Sequence, residues 1–213
     1  MDVKQTAGQL IPELAGAQTK WLGAGVVLGL VSVAGLMTNP AQFYQSYLIA
    51  YLFSLAITLG SLAFAMVHQL SGGAWGVVIR RLLGAATRVL PVMTLLFIPI
   101  VIGMPHLYEW THADVVAKSE ILQHKAMYLN RNAFIMRAVI YFAIWNTLAF
   151  LLNKWSLEQD QTNDPALALR MQRVSAGGLL LYVLTITFAA FDWLMSIEPH
   201  WFSTIYGVLM IGG

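Results

Sequence analysis

The stretch FDWLMSIEPHWFSTIYG, residues 191–207, ends a long apolar run and carries Asp192, Glu198 and His200. Two carboxylates and an imidazole are groups that hold and pass protons near neutral pH. Trp193, Trp201 and Tyr206 stand among them. One other ionisable group lies clearly within an apolar run, Arg137. Ionisable groups inside a membrane are costly and mark function by default. Arg137 and Asp192 fall at matching depth and have opposite charge, so an ion pair facing a polar cavity is one reading. The other is that Arg137 snorkels to the interface while Asp192 caps its helix. In a pair, Asp192 is a structural or substrate-orienting group, which leaves Glu198 or His200 as the better proton carrier.

A second group of polar side chains lies in PHLYEWTH. His106, Glu109 and His112 recur at spacing three, which places them on one side if the stretch is helical. A metal site is conceivable, but the pattern lacks H-E-x-x-H. A solvated loop that docks a partner is the preferred reading, with no metal.

The elements that must position these groups are membrane helices. The chain has 213 residues, 58% hydrophobic and 10% charged. A soluble domain carries about 25% charged residues, so the expected fold is an all-α polytopic transmembrane bundle. There is no cysteine, which excludes disulfides, iron–sulfur clusters, c-type haem attachment and thiolate zinc sites within the chain. No histidine lies mid-span, so no b-type haem is expected. A net charge of +2 without a basic stripe points away from nucleic acid.

A bilayer core about 30 Å thick needs about 20 apolar helical residues. Five runs qualify, at 21–37, 47–68, 82–104, 133–153 and 174–195. A sixth starts near Ser203, with Ser203 or Thr204 as its N-cap, and rises only about 16 Å before the last residue. The expectation is therefore about six spans in the N-terminal part of a longer protein. Residues 1–20, which include Asp2 and Glu13, form a tail. The first span is read as retained, because no small-x-small cleavage site follows it. Lys4, Lys20, Arg80, Arg81, Arg88, Lys154, Arg170 and Arg173 fall on one side of these spans. Only Lys118, Lys125 and Arg131 fall on the other, so the N-terminus is expected in the cytoplasm. Trp193, Trp201 and Tyr206 then fit an outer interfacial belt.

Residues 73–88 set Val77, Val78, Leu82 and Leu83 opposite Arg80, Arg81 and Arg88, as a cytoplasmic surface helix would. Pro91 and Pro99 should kink the third span. Residues 105–132 form an outer loop. Ser54, Thr58 and Ser61 share a face as a relay or as a packing stripe. Asn146, Thr147, Thr185 and Thr187 are expected to make interhelical hydrogen bonds.

The motif at 191–207 resembles that of the ActF type of membrane subunit of alternative complex III. That complex is a bacterial quinol:cytochrome c oxidoreductase unrelated to the bc complex, and the subunit belongs to the NrfD/PsrC-like superfamily. The likeness extends through RRLLGAATRVLPVMTLLFIPI and PHLYEWTH. The resemblance implies about ten spans, a bacterial inner-membrane location and menaquinol as the electron donor. It implies partners as well: a paralogous NrfD-like subunit, an iron–sulfur subunit and c-type haem subunits. Haem c and iron–sulfur clusters would reside in those partners, and this chain would bind no redox cofactor. Its role would be to anchor them and to contribute quinol binding or proton conduction. Trp193, Trp201 and Tyr206 would then lie near the quinone. A secondary transporter is the alternative function, and a purely structural anchor is the bland limit of the first.

The charge asymmetry predicts a labelling pattern. Cysteines placed at His112 or Ser203 should react with an impermeant thiol reagent from outside, and one at Gln161 should not. The opposite pattern would reverse every assignment of sides.

Overall fold

The computed structural model describes residues 3–73, 75–76, 78–162 and 164–212, with side chains for those from 16 to 209. No strand occurs among them. Val77 and Asp2 lie outside the described residues, and so do the side chains of Lys4 and Glu13. Five helical segments are long and apolar enough to cross a membrane: Gly16–Thr38, Pro40–Ser71, Arg80–Ile102, Arg131–Thr162 and Pro165–Ile197. The sixth run is helical only over Tyr206–Gly212.

Residues 1–46 and 47–213 form two compact units. In the first, helix α1 spans Val3–Thr38, so the expected tail is helical and continuous with the first apolar run. Helix α2, Pro40–Ser71, begins at a clear signal. Asn39 Oδ1 accepts from Gln42 N–H at 3.2 Å, and Pro40 fills the first helical position, where no donor is needed. It stops where Gly72 and Gly73 adopt φ of 63° and 86°, a left-handed conformation natural to glycine.

In the second unit the third span is broken. It runs as α3 Arg80–Thr87, α4 Leu90–Leu96 and α5 Ile98–Ile102. Among the described residues of the surface helix expected over 73–88, helix begins at Arg80 and leads directly into this span. Pro91 and Pro99 supply no backbone N–H. Around the breaks, Phe97 N–H donates to Thr94 O and Ile100 N–H to Phe97 O, a tightened pattern one residue short of the α-helical one. That leaves the carbonyls of Met93 and Leu96 in need of partners. Tyr51 OH donates to Met93 O at 3.0 Å, and Tyr47 OH to Leu96 O at 2.7 Å. The kinks thus tie α2 to the third span through tyrosine hydroxyls.

Short helices α6 Met104–Leu107, α7 Ala113–Lys118 and α8 Glu120–Lys125 follow. Then come α9 Arg131–Thr162 and α10 Pro165–Trp193. Helix α9 continues through residues 159–162. Asp164 Oδ1 caps α10 by accepting from Ala166 N–H at 2.8 Å, with Pro165 at the first position. Polar pairs join the spans: Asn146 to Thr94 at 2.9 Å, Trp145 to Thr185 at 2.8 Å and Asn153 to Thr87 at 2.8 Å. Thr147 and Thr187 bond within their own helices, as do Ser54, Thr58 and Ser61. A stripe whose hydroxyls are returned to the backbone four residues back makes no chain of hydrogen bonds.

Tyr51 is buried and Met93 O is its partner. Tyr51→Phe should therefore destabilise the unit by about 1–3 kcal/mol, the cost of a buried unsatisfied carbonyl. Thermal unfolding in detergent reads the loss, and an unchanged midpoint would show that the hydroxyl does not hold the kink.

Candidate functional site

The site grows from the last turn of α10. Asp192 faces α9 and has no solvent exposure. An uncompensated carboxylate there would be untenable. Arg137, two turns into α9, answers with its planar fork. Its Nε donates to Asp192 Oδ2 at 2.9 Å and its Nη2 to Oδ1 at 2.8 Å. Such bidentate pairs are strong and fix orientation. Tyr141, one turn further on the same helix face, donates its hydroxyl to Oδ2 at 2.8 Å. The remaining guanidinium nitrogen, Nη1, donates to Tyr128 O at 3.0 Å, and the group lies 3.8 Å from the Tyr128 ring centroid.

The last carbonyls of a helix have no intrahelical partner. Here neighbouring side chains take them up. Ser196 Oγ donates to Asp192 O. Tyr108 OH donates to Trp193 O at 3.0 Å. In the 3₁₀ turn Met195–Ile197 that follows, Ser196 O accepts from Trp110 Nε1 at 3.2 Å. Lys125 Nζ donates to Pro199 O at 2.6 Å. Three side chains from residues 105–132 therefore clasp the backbone of the segment after Asp192. Burial pushes the Tyr108 phenol far above its ordinary range, and the Asp192 charge adds to this. Tyr128 is raised as well, by burial first and by Asp192 second, with Arg137 opposing.

Trp193 is buried at 2% exposure, which corrects the expectation of an interfacial position. It packs into an aromatic cluster, with ring centroids 4.8 Å from Phe97, 5.7 Å from Phe142 and 5.9 Å from Trp145. Phe134 joins this cluster to Tyr108 and Trp110 at 5.5 and 5.7 Å. The α10 register that turns Asp192 toward Arg137 also sends Trp193 inward. Trp201, by contrast, is exposed and meets Tyr206 edge-on at 5.5 Å.

Glu198 and His200 are both exposed. Neither side chain hydrogen-bonds to Asp192 or to the other among the described residues. Pro199 lies between them in a turn closed by Trp201 N–H on Glu198 O at 3.1 Å. The expected shared face for His106, Glu109 and His112 does not form. His106 is in α6, Tyr108 is extended, Glu109 opens a 3₁₀ turn, and His112 is extended again. His112 Nε2 bonds instead to Pro105 O at 2.8 Å. Among the described residues no group of three His, Asp or Glu is placed to hold a metal ion.

Tyr141, Tyr128, Tyr108, Trp110, Ser196 and Lys125 complete the site and were not singled out from the sequence. Only Tyr141 carried a readable signal, four residues after Arg137. No protein-family model matches the chain, and no curated protein matches it.

Two outcomes follow. Arg137→Met or Asp192→Asn alone should cost about 3–5 kcal/mol, because each leaves a buried group without its partner. A double-mutant cycle should show coupling of about 1–3 kcal/mol, and additive effects would disprove the pair. The two raised tyrosines give a pH test. Stability from their neutral form is present below about pH 10, the ordinary tyrosine value, and is lost as pH rises above it. Tyr108→Phe should weaken that alkaline loss, and an unaltered alkaline limb would show that Tyr108 does not contribute.

Proposed function

We propose that this chain is an integral membrane subunit of a quinol:cytochrome c oxidoreductase of the alternative complex III type. It works in a bacterial inner membrane, with its N-terminus in the cytoplasm, in a respiratory or photosynthetic electron-transfer chain. It carries no redox centre of its own. It anchors the iron–sulfur and c-haem subunits beside a paralogous membrane subunit, and it contributes to quinol binding or proton conduction.

The observation that supports this best is the clasp. The motif that carries the family likeness, 191–207, is organised around Asp192 and is held by Tyr108 and Trp110 from the likeness-bearing PHLYEWTH and by Lys125 further along the same loop. Two segments similar to the same family thus build one platform at one end of the spans. Such a platform suits a subunit that docks extrinsic partners. Menaquinol oxidation releases two protons for every two electrons, and these need an exit on the side of the platform. Glu198 and His200 stand exposed at its rim, where a carboxylate and an imidazole can relay protons to water. Asp192, saturated by three donors, fixes the geometry instead. A transporter reading gains less, because the carbonyls freed by its kinked span are already taken by Tyr47 and Tyr51.

Affinity purification from the native membrane should bring down c-haem and iron–sulfur subunits. In complexes that assemble fully, Glu198→Gln and His200→Gln should slow quinol:cytochrome c turnover by about tenfold or more and shift one limb of the pH profile. Isolation without redox partners would overturn the assignment. Wild-type turnover with an unchanged profile in both variants would remove these two residues from the proton path.

A further inference from the structure

The broken third span leaves a channel against α9. One part is a cavity of about 420 Å³, lined by Arg88, Pro91, Ala149, Phe150, Lys154 and Leu157 among others. A second, of about 520 Å³, continues along Ile98, Ile102, Val139 and Ala143. Both are lined by Asn146, whose bond to Thr94 Oγ1 at 2.9 Å crosses between the two spans where the cavities meet. Its walls are almost wholly apolar. The small side chains of Ala143 and Ala149 on α9, set against a span interrupted at Pro91 and Pro99, account for the open space.

One end of the groove is cationic. Arg80 and Arg81 at the same end of the unit share Asp160 as a partner. Arg88 and Lys154 have no ion-pair partner among the described residues, and both are exposed. Arg88 makes a single long contact, from Nε to Asn153 Oδ1 at 3.4 Å. From Lys154 to Asn146, where this cavity ends, the helix rises about 12 Å, more than a third of a hydrocarbon core about 30 Å thick. The groove therefore offers two cations without ion-pair partners at the membrane surface above an apolar slot.

We infer that this groove is a binding site for an anionic diacyl phospholipid, its headgroup held by Arg88 and Lys154 and one acyl chain laid along Pro91, Ala149 and Phe150. Charge complementarity selects the headgroup and the slot selects the chain. A free phosphate would use only the cations, and a zwitterionic lipid would gain little from them. Basic pockets between transmembrane helices recognise anionic headgroups at about a tenfold gain or less for each cation near the surface. The inference does not rest on the proposed redox role.

The test uses the full chain, purified in detergent with the subunits that accompany it and stripped of lipid. Binding of phosphatidylglycerol, phosphatidylcholine and inorganic phosphate is followed by native mass spectrometry. Phosphatidylglycerol should bind more tightly than phosphatidylcholine, and phosphate alone should not be retained. Arg88→Gln with Lys154→Gln should weaken phosphatidylglycerol by roughly 30-fold and leave phosphatidylcholine unchanged. Both residues are exposed, so the variant should fold, and an unaltered thermal midpoint checks this. A phosphatidylglycerol with a photoactivatable group on its acyl chain should crosslink within 146–157. Equal affinity for the two lipids, retention of phosphate alone, or crosslinks confined to other helices would overturn the site. So would finding the groove filled by another polypeptide in the assembled complex.

Discussion

A carboxylate with no solvent exposure constrains how α9 and α10 meet. Removing a carboxylate from water carries a penalty of several kcal/mol even after relaxation. Asp192 meets it with the Nε and Nη2 donors of one guanidinium fork and one phenol. Only a narrow range of α9–α10 registers brings Arg137, Tyr141 and Asp192 together, so the pair sets how the two long helices meet. The same register points Trp193 into the aromatic cluster and turns the carbonyls of Asp192 and Trp193 toward Ser196 and Tyr108. The segment 194–201 inherits its position from there.

The two ends of the helices are built differently. At the Arg80–Arg81–Asp160 end the partners are partly exposed, with side-chain exposures of 29%, 62% and 30%. Ion pairs of that kind contribute little individually. At the Asp192 end the pair is sequestered and surrounded by stacked rings. In between, the broken third span would be a weak element, yet its freed carbonyls are taken by tyrosines of α2. The result is a firm platform at one end and a groove-lined, looser region toward the other.

Parts of this were legible from the sequence, for physical reasons. Apolar runs of membrane length mark spans, because a bilayer leaves no other backbone solution. Their ends were less legible. Helical hydrogen bonding continues past the apolar stretch, so α9 reaches Thr162 and α1 reaches back to Val3. Arg137 and Asp192 stood out because charge inside an apolar run is rare and their depths matched. The clasp did not stand out, because its acceptors are backbone carbonyls, which every residue has. Trp193 was misplaced because an aromatic near a span end suits an interface and a core equally. The face predicted for His106, Glu109 and His112 failed because the chain is extended at Tyr108 and His112.

The central claim is that the Asp192 pair, acting through backbone carbonyls, holds the 104–130 segment and the 194–201 turn as one unit. Hydrogen–deuterium exchange of the assembled protein with Asp192→Asn tests it most directly. The account predicts that both segments lose protection together, while 80–88 and 153–162 at the other end keep theirs. Loss confined to the last turn of α10, or an exchange pattern identical to the wild type, would contradict it.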